Sequence, residues 1–222
     1  MPVEVCSYRL TFRGAPVGTH VLRTEQKGQT AHLEGRLMLQ GSLGQSTTTQ
    51  TSRFHRGRRL SLGFQESTER RGEKRSYEVV FDAGQGIVKA SRGQGDQASV
   101  PYIRPYRDPL GLLFELRGLE PGGEPAHFPM LGKDVTAIHL GTTELDTALG
   151  RRAAHAYKLH PGPAYVYIDV EEPNVILQMS QRVEGQVLEA LLVKVAQEDE
   201  MPVREAERPR SGRRRRRRRR RR

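Results

Sequence analysis

Apolar and polar residues alternate along most of this chain. In the segment SYRLTFR, Tyr8, Leu10 and Phe12 fall on one side of an extended backbone, and polar residues fall on the other. A period of two with one polar face is typical of a half-buried antiparallel strand. The next residues, GAPVG, form a turn cluster, and alternation then resumes. This start therefore predicts a meander of hairpins.

The same alternation of apolar and polar residues recurs in most of the later segments of the chain. It predicts ten or more antiparallel strands, in the segments THVLRTEQ, TAHLEGRLML, RLSLGFQESTER, RSYEVVF, DVTAIHLGTTEL, RRAAHAYKLH, AYVYIDV, NVILQMSQRV and QVLEALLVKVAQ. The segment QSTTTQTSRF has little apolar content and suits a solvated or edge strand. Gly63 interrupts an apolar run, which favours a bend or bulge. The segment QVLEALLVKVAQ also fits a helix, but the turn residues before it favour a strand.

One segment, YRDPLGLLFELRGLEPGG, departs from alternation. Asp108 suits the N-cap, Pro109 the first helical position and Gly118 the C-terminal cap. Leu110, Leu113 and Phe114 follow at helical spacing, so we expect a short helix over about 108–117 whose apolar side covers the sheet. The fold class that this pattern predicts is mainly β. We expect a single strongly curved antiparallel sheet or half-open barrel, with one short helix packed on the concave face.

The charge divides the chain into two parts. The net charge is +11, but twelve of the 37 basic residues lie from Arg208 onward, which leaves 25 basic against 26 acidic residues before it. We therefore expect a nearly neutral folded domain over 1–197, and a disordered linker and tail over 198–222. Guanidinium groups bind phosphate oxygens without reading sequence, so the tail predicts attachment to nucleic acid or another polyanion. The arginines of this polyanion-binding tail are Arg213, Arg214, Arg215, Arg216, Arg217, Arg218, Arg219, Arg220, Arg221 and Arg222.

Two further basic clusters flank predicted turns. If both lie at one end of the sheet, they form a secondary basic rim that works with the tail; otherwise they are solvated loop charges. The rim residues are Arg53, Arg56, Arg58, Arg59, Arg70 and Arg71, with Lys74 and Arg75 following in the second cluster.

The sequence resembles a bacterial family catalogued as domain of unknown function 3108. The resemblance is carried by YRLTFRGAPVG and by YIRPYRDPLGLLFELRGLEPGGEPAHFPMLGKDV, and it covers roughly residues 5–195. It implies an all-β curved sheet and no established activity. Many members look exported, whereas the N-terminal residues MPVEVCSYRL lack the features of a leader, so we expect a cytoplasmic protein. The arginine tail is not a feature of the family.

No motif in the sequence predicts catalysis, a metal or a cofactor. There is no Gly-x-Ser-x-Gly elbow and no phosphate-binding loop, and the single cysteine, Cys6, suits a buried apolar position. His155 and His160 are five residues apart and so face opposite ways, which does not suit a zinc pair. The other histidines are His20, His32, His55, His127 and His139. We therefore expect a non-enzymatic protein without a metal.

Two binding functions remain open at this point. The first is the polyanion attachment by the tail, and the second is a carrier or binding module for a hydrophobic small molecule. In the second case the curved sheet encloses an apolar groove. Its lid consists of Leu110, Leu113 and Phe114, and the tail is then an incidental extension. No window of the sequence is long and apolar enough for a transmembrane helix. The oligomeric state does not follow from the sequence.

Overall fold

The part of the chain that the structure describes forms one antiparallel sheet of fourteen strands. The computed structural model describes residues 2–93, 95–183 and 185–198. The first eight strands are β1 (Val3–Phe12), β2 (Ala15–Lys27), β3 (Thr30–Leu39), β4 (Ser46–His55), β5 (Leu60–Arg70), β6 (Glu73–Asp82), β7 (Ile87–Arg92) and β8 (Asp96–Pro101), with a 3-10 turn at Gly41–Leu43. The helix α1 (Pro109–Leu116) follows. The last six strands are β9 (Ala126–Met130), β10 (Lys133–Thr147), β11 (Gly150–His160), β12 (Ala164–Asp169), β13 (Ile176–Val183) and β14 (Gln186–Glu198).

Two meanders join through the first and last strands. The order is β8-β7-β6-β5-β4-β3-β2-β1-β14-β13-β12-β11-β10-β9, so β8 and β9 are the open edges and the sheet does not close into a barrel. The segment that leads into α1 lies beside β9, where the Arg107 N–H donates to the Pro129 carbonyl at 2.8 Å. On its other side the Tyr106 carbonyl accepts from the Ser61 N–H at 2.9 Å. The expected half-open antiparallel fold is confirmed.

Local details of the strands follow the sequence pattern, with one correction. Tyr8, Leu10 and Phe12 are all buried on one face of β1. The register between β4 and β5 shifts next to Gly63, as expected for a bulge. The Thr-rich strand β4 is not an edge, because it pairs with β3 on one side and β5 on the other. Its first half is nevertheless only partly buried, which explains its polar composition.

Consecutive hairpins give the sheet two ends. The upper end carries the turns after β1, β3, β5, β7, β9, β11 and β13, and the lower end carries the turns between the other successive strands. The strand β14 runs from the upper end to Glu198 at the lower end, where it pairs with Val3. Residues 199–222, which include the arginine tail, lie outside the described residues.

The helix packs against two hydrophobic cores. Leu112 and Leu116 belong to the core built on β1, β2 and β9–β14, whereas Leu110 belongs to the core built on β3–β7. The helix is thus buried on several sides, between the two halves of the curved sheet. Within the part of the chain that the structure describes, no helix is long and apolar enough to cross a membrane.

Candidate ligand cavity

The first turn of α1 is fixed to the sheet by a buried carboxylate. The Asp108 Oδ1 atom accepts from the N–H groups of Leu110 and Gly111, both at 2.9 Å. Its Oδ2 atom accepts from the hydroxyls of Ser52 at 2.6 Å and Ser61 at 2.5 Å. Burial raises the pKa of Asp108, and the two serine hydroxyls oppose that rise. The predicted N-cap is confirmed, and the serines orient it on the inner face of β4 and β5.

A buried ion pair holds the other side of the helix. The Arg107 guanidinium donates two hydrogen bonds to the Glu115 carboxylate, at 2.8 and 3.0 Å, and the Arg59 Nε atom adds a third at 2.6 Å. Bidentate contacts of this kind fix geometry as well as charge. They tie the helix to its own N-terminal approach and to the turn between β4 and β5.

The C-terminal end of the helix is tied to the centre of the sheet. Arg117, the residue after Leu116, donates to the Glu4 carboxylate of β1 at 2.6 and 2.9 Å. The Gly118 N–H donates to the Glu115 carbonyl at 3.1 Å, so the helix ends where the sequence predicts. With contacts at both ends, the helix is a fixed wall of the interior.

Beside this wall the interior contains a cavity of about 540 Å³ that opens at the upper end. The volume lies within the usual range of small-molecule sites. Most of its lining is apolar and comes from both meanders and the helix. The apolar side chains that line it include Leu10, Leu37, Leu112, Leu113, Met130, Val135, Leu159, Val166, Met179, Leu188 and Ala190.

A few polar residues accompany this apolar lining. Lys133 and Arg182 lie at the exposed rim, and His20 lies deeper, with its ring centroid 6.0 Å from that of Tyr8. Burial lowers the pKa of His20 to about 4, so its imidazole is neutral near pH 7. No aspartate or glutamate is among the described residues that line the cavity. The interior is therefore uncharged and the rim is cationic.

The three residues of the predicted groove lid lie in different surroundings. Leu113 lines the cavity, but Leu110 packs into the other core, and Phe114 makes an edge contact with Phe54 at 5.7 Å between ring centroids. All three residues also border a separate space of only about 30 Å³. Leu112 and Pro109 also line the cavity, although the helical spacing did not predict them as lid residues. The helix is apolar nearly all round, and such a helix contacts structure on every side.

The two basic clusters do not form one rim. Arg53, Arg56, Arg58 and Arg59 lie at the lower end of β5, whereas Arg70 and Arg71 lie at its upper end. Eleven residues of extended strand separate the two turns by about 34 Å. Successive turns of a meander alternate between ends, which is why the expected gathering is wrong.

Some arginines of the lower cluster also have structural partners. Arg59 is engaged by Glu115, and the Arg56 Nη1 atom donates to the Gly28 carbonyl at 3.1 Å. The predicted polyanion-binding arginines, Arg213–Arg222, lie outside the described residues. The polyanion site therefore remains a prediction.

The other candidate side chains occupy structural positions. Cys6 is buried, as expected, and burial raises the pKa of its thiol to about 11. The rings of His139 and His155 lie 5.4 Å apart, and the His139 Nδ1 atom accepts from the Gly122 N–H. Among the described residues, no three histidine, cysteine or carboxylate side chains gather where they could share a metal ion.

These features define an all-β, barrel-like protein with an internal apolar cavity under a fixed helix. The chain belongs to the family described as "Protein of unknown function (DUF3108)", whose profile matches residues 7–173. The fold is similar to a solved structure from Brucella abortus, described as a beta-barrel-like protein of domain of unknown function DUF1849. The two share 11% identity with a TM-score of 0.58, over 90% of this chain and 99% of the other. No curated protein matches the sequence. At this identity the likeness concerns the fold alone.

Proposed function

We propose that this protein is a non-enzymatic binding protein that holds a hydrophobic small molecule in the upper cavity. The observation that carries the proposal is the cavity itself, about 540 Å³ in volume and lined mainly by apolar side chains. Protein interiors are normally close-packed, with few voids larger than a water molecule. An apolar space of this size that opens to solvent leaves its lining in contact with water unless a ligand covers it.

The architecture supports retention of a ligand rather than collapse around an empty space. The helix wall is held by the Asp108 cap, by the Glu115 ion pairs and by the Arg117–Glu4 contact, so it does not settle into the cavity. An apolar ligand gains about 0.8 kcal/mol for each methylene that it buries. About ten methylenes therefore correspond to micromolar affinity before the cost of association is subtracted, so the ligand needs a chain of at least that length.

The test uses an uncharged fluorophore and a variant that fills the cavity. Phenylnaphthylamine brightens in apolar surroundings, and we expect saturable binding to the full chain. Ala190 is buried on the cavity wall, so Ala190→Phe occupies part of the volume. If its ring displaces the equivalent of two methylenes of ligand, the affinity falls about tenfold.

Ala90 provides a matched control. It lies on the inner face of β7, packs against the other core and does not line the cavity. Ala90→Phe therefore adds the same ring to the same sheet and leaves the affinity for the fluorophore unchanged. Absence of saturable binding by the unmodified chain, or equal losses in both variants, contradicts the proposal.

Attachment of the arginine tail to polyanions is the second candidate function. Ten consecutive arginines, Arg213–Arg222, favour it, because guanidinium groups pair with phosphates through charge and forked hydrogen bonds. The two functions are compatible, since the described chain ends at the lower end and the cavity opens at the upper end.

A further inference from the structure

Among the described residues, no carboxylate neutralises the positive charge at the rim of the cavity. Lys133 and Arg182 both line it, and neither has an ion-pair partner among the described residues. The carboxylate next to Lys133, that of Asp134, is paired with Arg104 at 2.9 Å. Glu189, on β14 beside β13, accepts a hydrogen bond from the Thr11 hydroxyl at 3.5 Å. The two rim cations therefore remain available to an anion from outside.

Strand register places Lys133 on the cavity side of the sheet. It is the first residue of β10, and Val135 and Ala137, two and four residues further along, are both buried on the inner face. Side chains two residues apart in a strand share a face. Lys133 therefore follows this inner face outward to the mouth, where it becomes exposed.

Arg182 borders the mouth of the cavity on the side away from Lys133, but its side chain starts from the outer face of β13, because Met179 and Gln181 pair with the cavity residues Ala190 and Leu188. Arg182 is near the upper end of β13, which is three strands from β10. Three strand spacings correspond to about 14 Å along the sheet, and the curvature of the sheet shortens the direct path. A small anionic group between the two residues is within the range of both charges, since screening in physiological salt acts over about 8 Å.

The interior below this rim is uncharged, because no aspartate or glutamate is among its described lining residues and the half-buried His20 is neutral near pH 7, its pKa being lowered by burial. An apolar interior with a cationic rim is complementary to a molecule that has an alkyl chain and a negative end. We propose that the cavity binds a single-chain amphiphile with an anionic headgroup, its chain inside and its headgroup at the rim beside Lys133, with Arg182 contributing positive charge from the edge of the mouth. This inference rests on the proposed function, and it names the class of ligand.

A competition assay tests the headgroup inference separately from the proposed binding of a hydrophobic ligand. Phenylnaphthylamine is bound to the full chain and displaced with lauric acid or with dodecanol, two ligands with the same chain length but a different head. We expect lauric acid to displace the fluorophore at about a tenfold lower concentration, the usual effect of one charge-assisted hydrogen bond. Added salt narrows this difference, because the rim is exposed.

Charge-removing variants then locate the headgroup. Lys133→Met weakens the binding of lauric acid, and Arg182→Gln weakens it to a smaller extent because Arg182 acts only through its charge. Both variants leave the binding of dodecanol and of the fluorophore unchanged, which also shows that the cavity is intact. Lys194→Met is the matched control, because Lys194 is an exposed lysine of β14 outside the cavity lining. The arginine tail is present in every variant, so its general attraction for anions cancels in the comparison.

The outcomes are distinguishable. If the fluorophore binds but the acid and the alcohol compete equally, the headgroup inference is overturned and the hydrophobic cavity stands. If Lys133→Met and Lys194→Met weaken the binding of lauric acid equally, the headgroup inference is also overturned, because the attraction then comes from the overall charge of the protein and not from the rim. If neither the fluorophore nor dodecanol binds, the proposed function itself fails.

Discussion

Gly111 tests whether the helix is held as tightly against the sheet as the structure shows. A Cβ atom added at this position would lie 2.8 Å from the Phe54 Cδ2 atom and 3.1 Å from the Ser61 Oγ atom. Neither neighbour can move away easily. Phe54 is buried between the sheet and Phe114, and the Ser61 hydroxyl is bonded to the Asp108 carboxylate. Gly111→Ala is therefore an overpacking substitution despite its small size.

Two opposing effects set the magnitude of this change. Replacing glycine by alanine in a helix stabilises it by at most about 1 kcal/mol. Overpacking in a well-packed core costs about 1–3 kcal/mol. Because the contact with Phe54 is below any normal approach, we expect the second effect to dominate. The free energy of unfolding should fall by about 1–2 kcal/mol.

Urea denaturation followed by circular dichroism measures this difference directly. Gly118→Ala is the control, because the nearest atom to its added Cβ would be the Glu115 carbonyl oxygen at an ordinary 3.8 Å. We expect that variant to lie within about 0.5 kcal/mol of the unmodified chain. If Gly111→Ala is as stable as Gly118→Ala, the helix does not press on Phe54, and its role as a fixed wall is refuted.

Three further predictions concern the core, pH and the tail. Leu116 is fully buried, so Leu116→Ala should lower the free energy of unfolding in urea by about 2–5 kcal/mol. Leu113 lies beside the cavity, so Leu113→Ala should cost about 1 kcal/mol less. Equal losses would contradict the position of the cavity. Because burial lowers the pKa of His20 to about 4, the unfolded chain binds its proton first. Stability should therefore fall as the pH drops from about 6.5 towards 4, by at most on the order of 3 kcal/mol, and His20→Leu should abolish that part of the dependence in melts over this range. Binding of the intact chain to duplex DNA, followed by fluorescence anisotropy, should weaken with salt with a log–log slope near −5 to −7 if six to eight arginines contact phosphates. Deleting residues 208–222 should remove most of this binding and leave the melting temperature unchanged. Binding that persists after the deletion would move the site into the folded domain.

Local pattern was sufficient for the class of fold and for the helix. Alternation in segments such as that of Tyr8, Leu10 and Phe12 marks one buried face, and the Asp108-Pro109 pair marks a helix start that the structure reproduces. The prediction that the last apolar segment is a strand and not a helix is also confirmed, since the turn residues before β14 outweigh its partial helical spacing. These features depend on neighbours in sequence, which a single chain displays fully.

The cavity and its supports depend on residues far apart in sequence. The pairs Arg117–Glu4 and Ser52–Asp108 join elements that only the curvature of the sheet brings together. Helical spacing alone could not choose between Leu110 and Leu112, because both are buried against different cores. By contrast, the separation of the two basic clusters could have been predicted, since hairpin turns at the two ends of one strand cannot meet.

Methionine methyl signals offer the most direct test of the central claim, that the upper cavity binds a hydrophobic ligand. Met130 and Met179 line the cavity, whereas Met38 is exposed on β3 and does not. We would titrate the full chain, labelled at its methionine methyl groups, with dodecanol and record the spectra by nuclear magnetic resonance. The account predicts saturable shifts of the Met130 and Met179 signals and an unchanged Met38 signal. Unchanged signals from all three, or shifts of equal size that do not saturate, would contradict it.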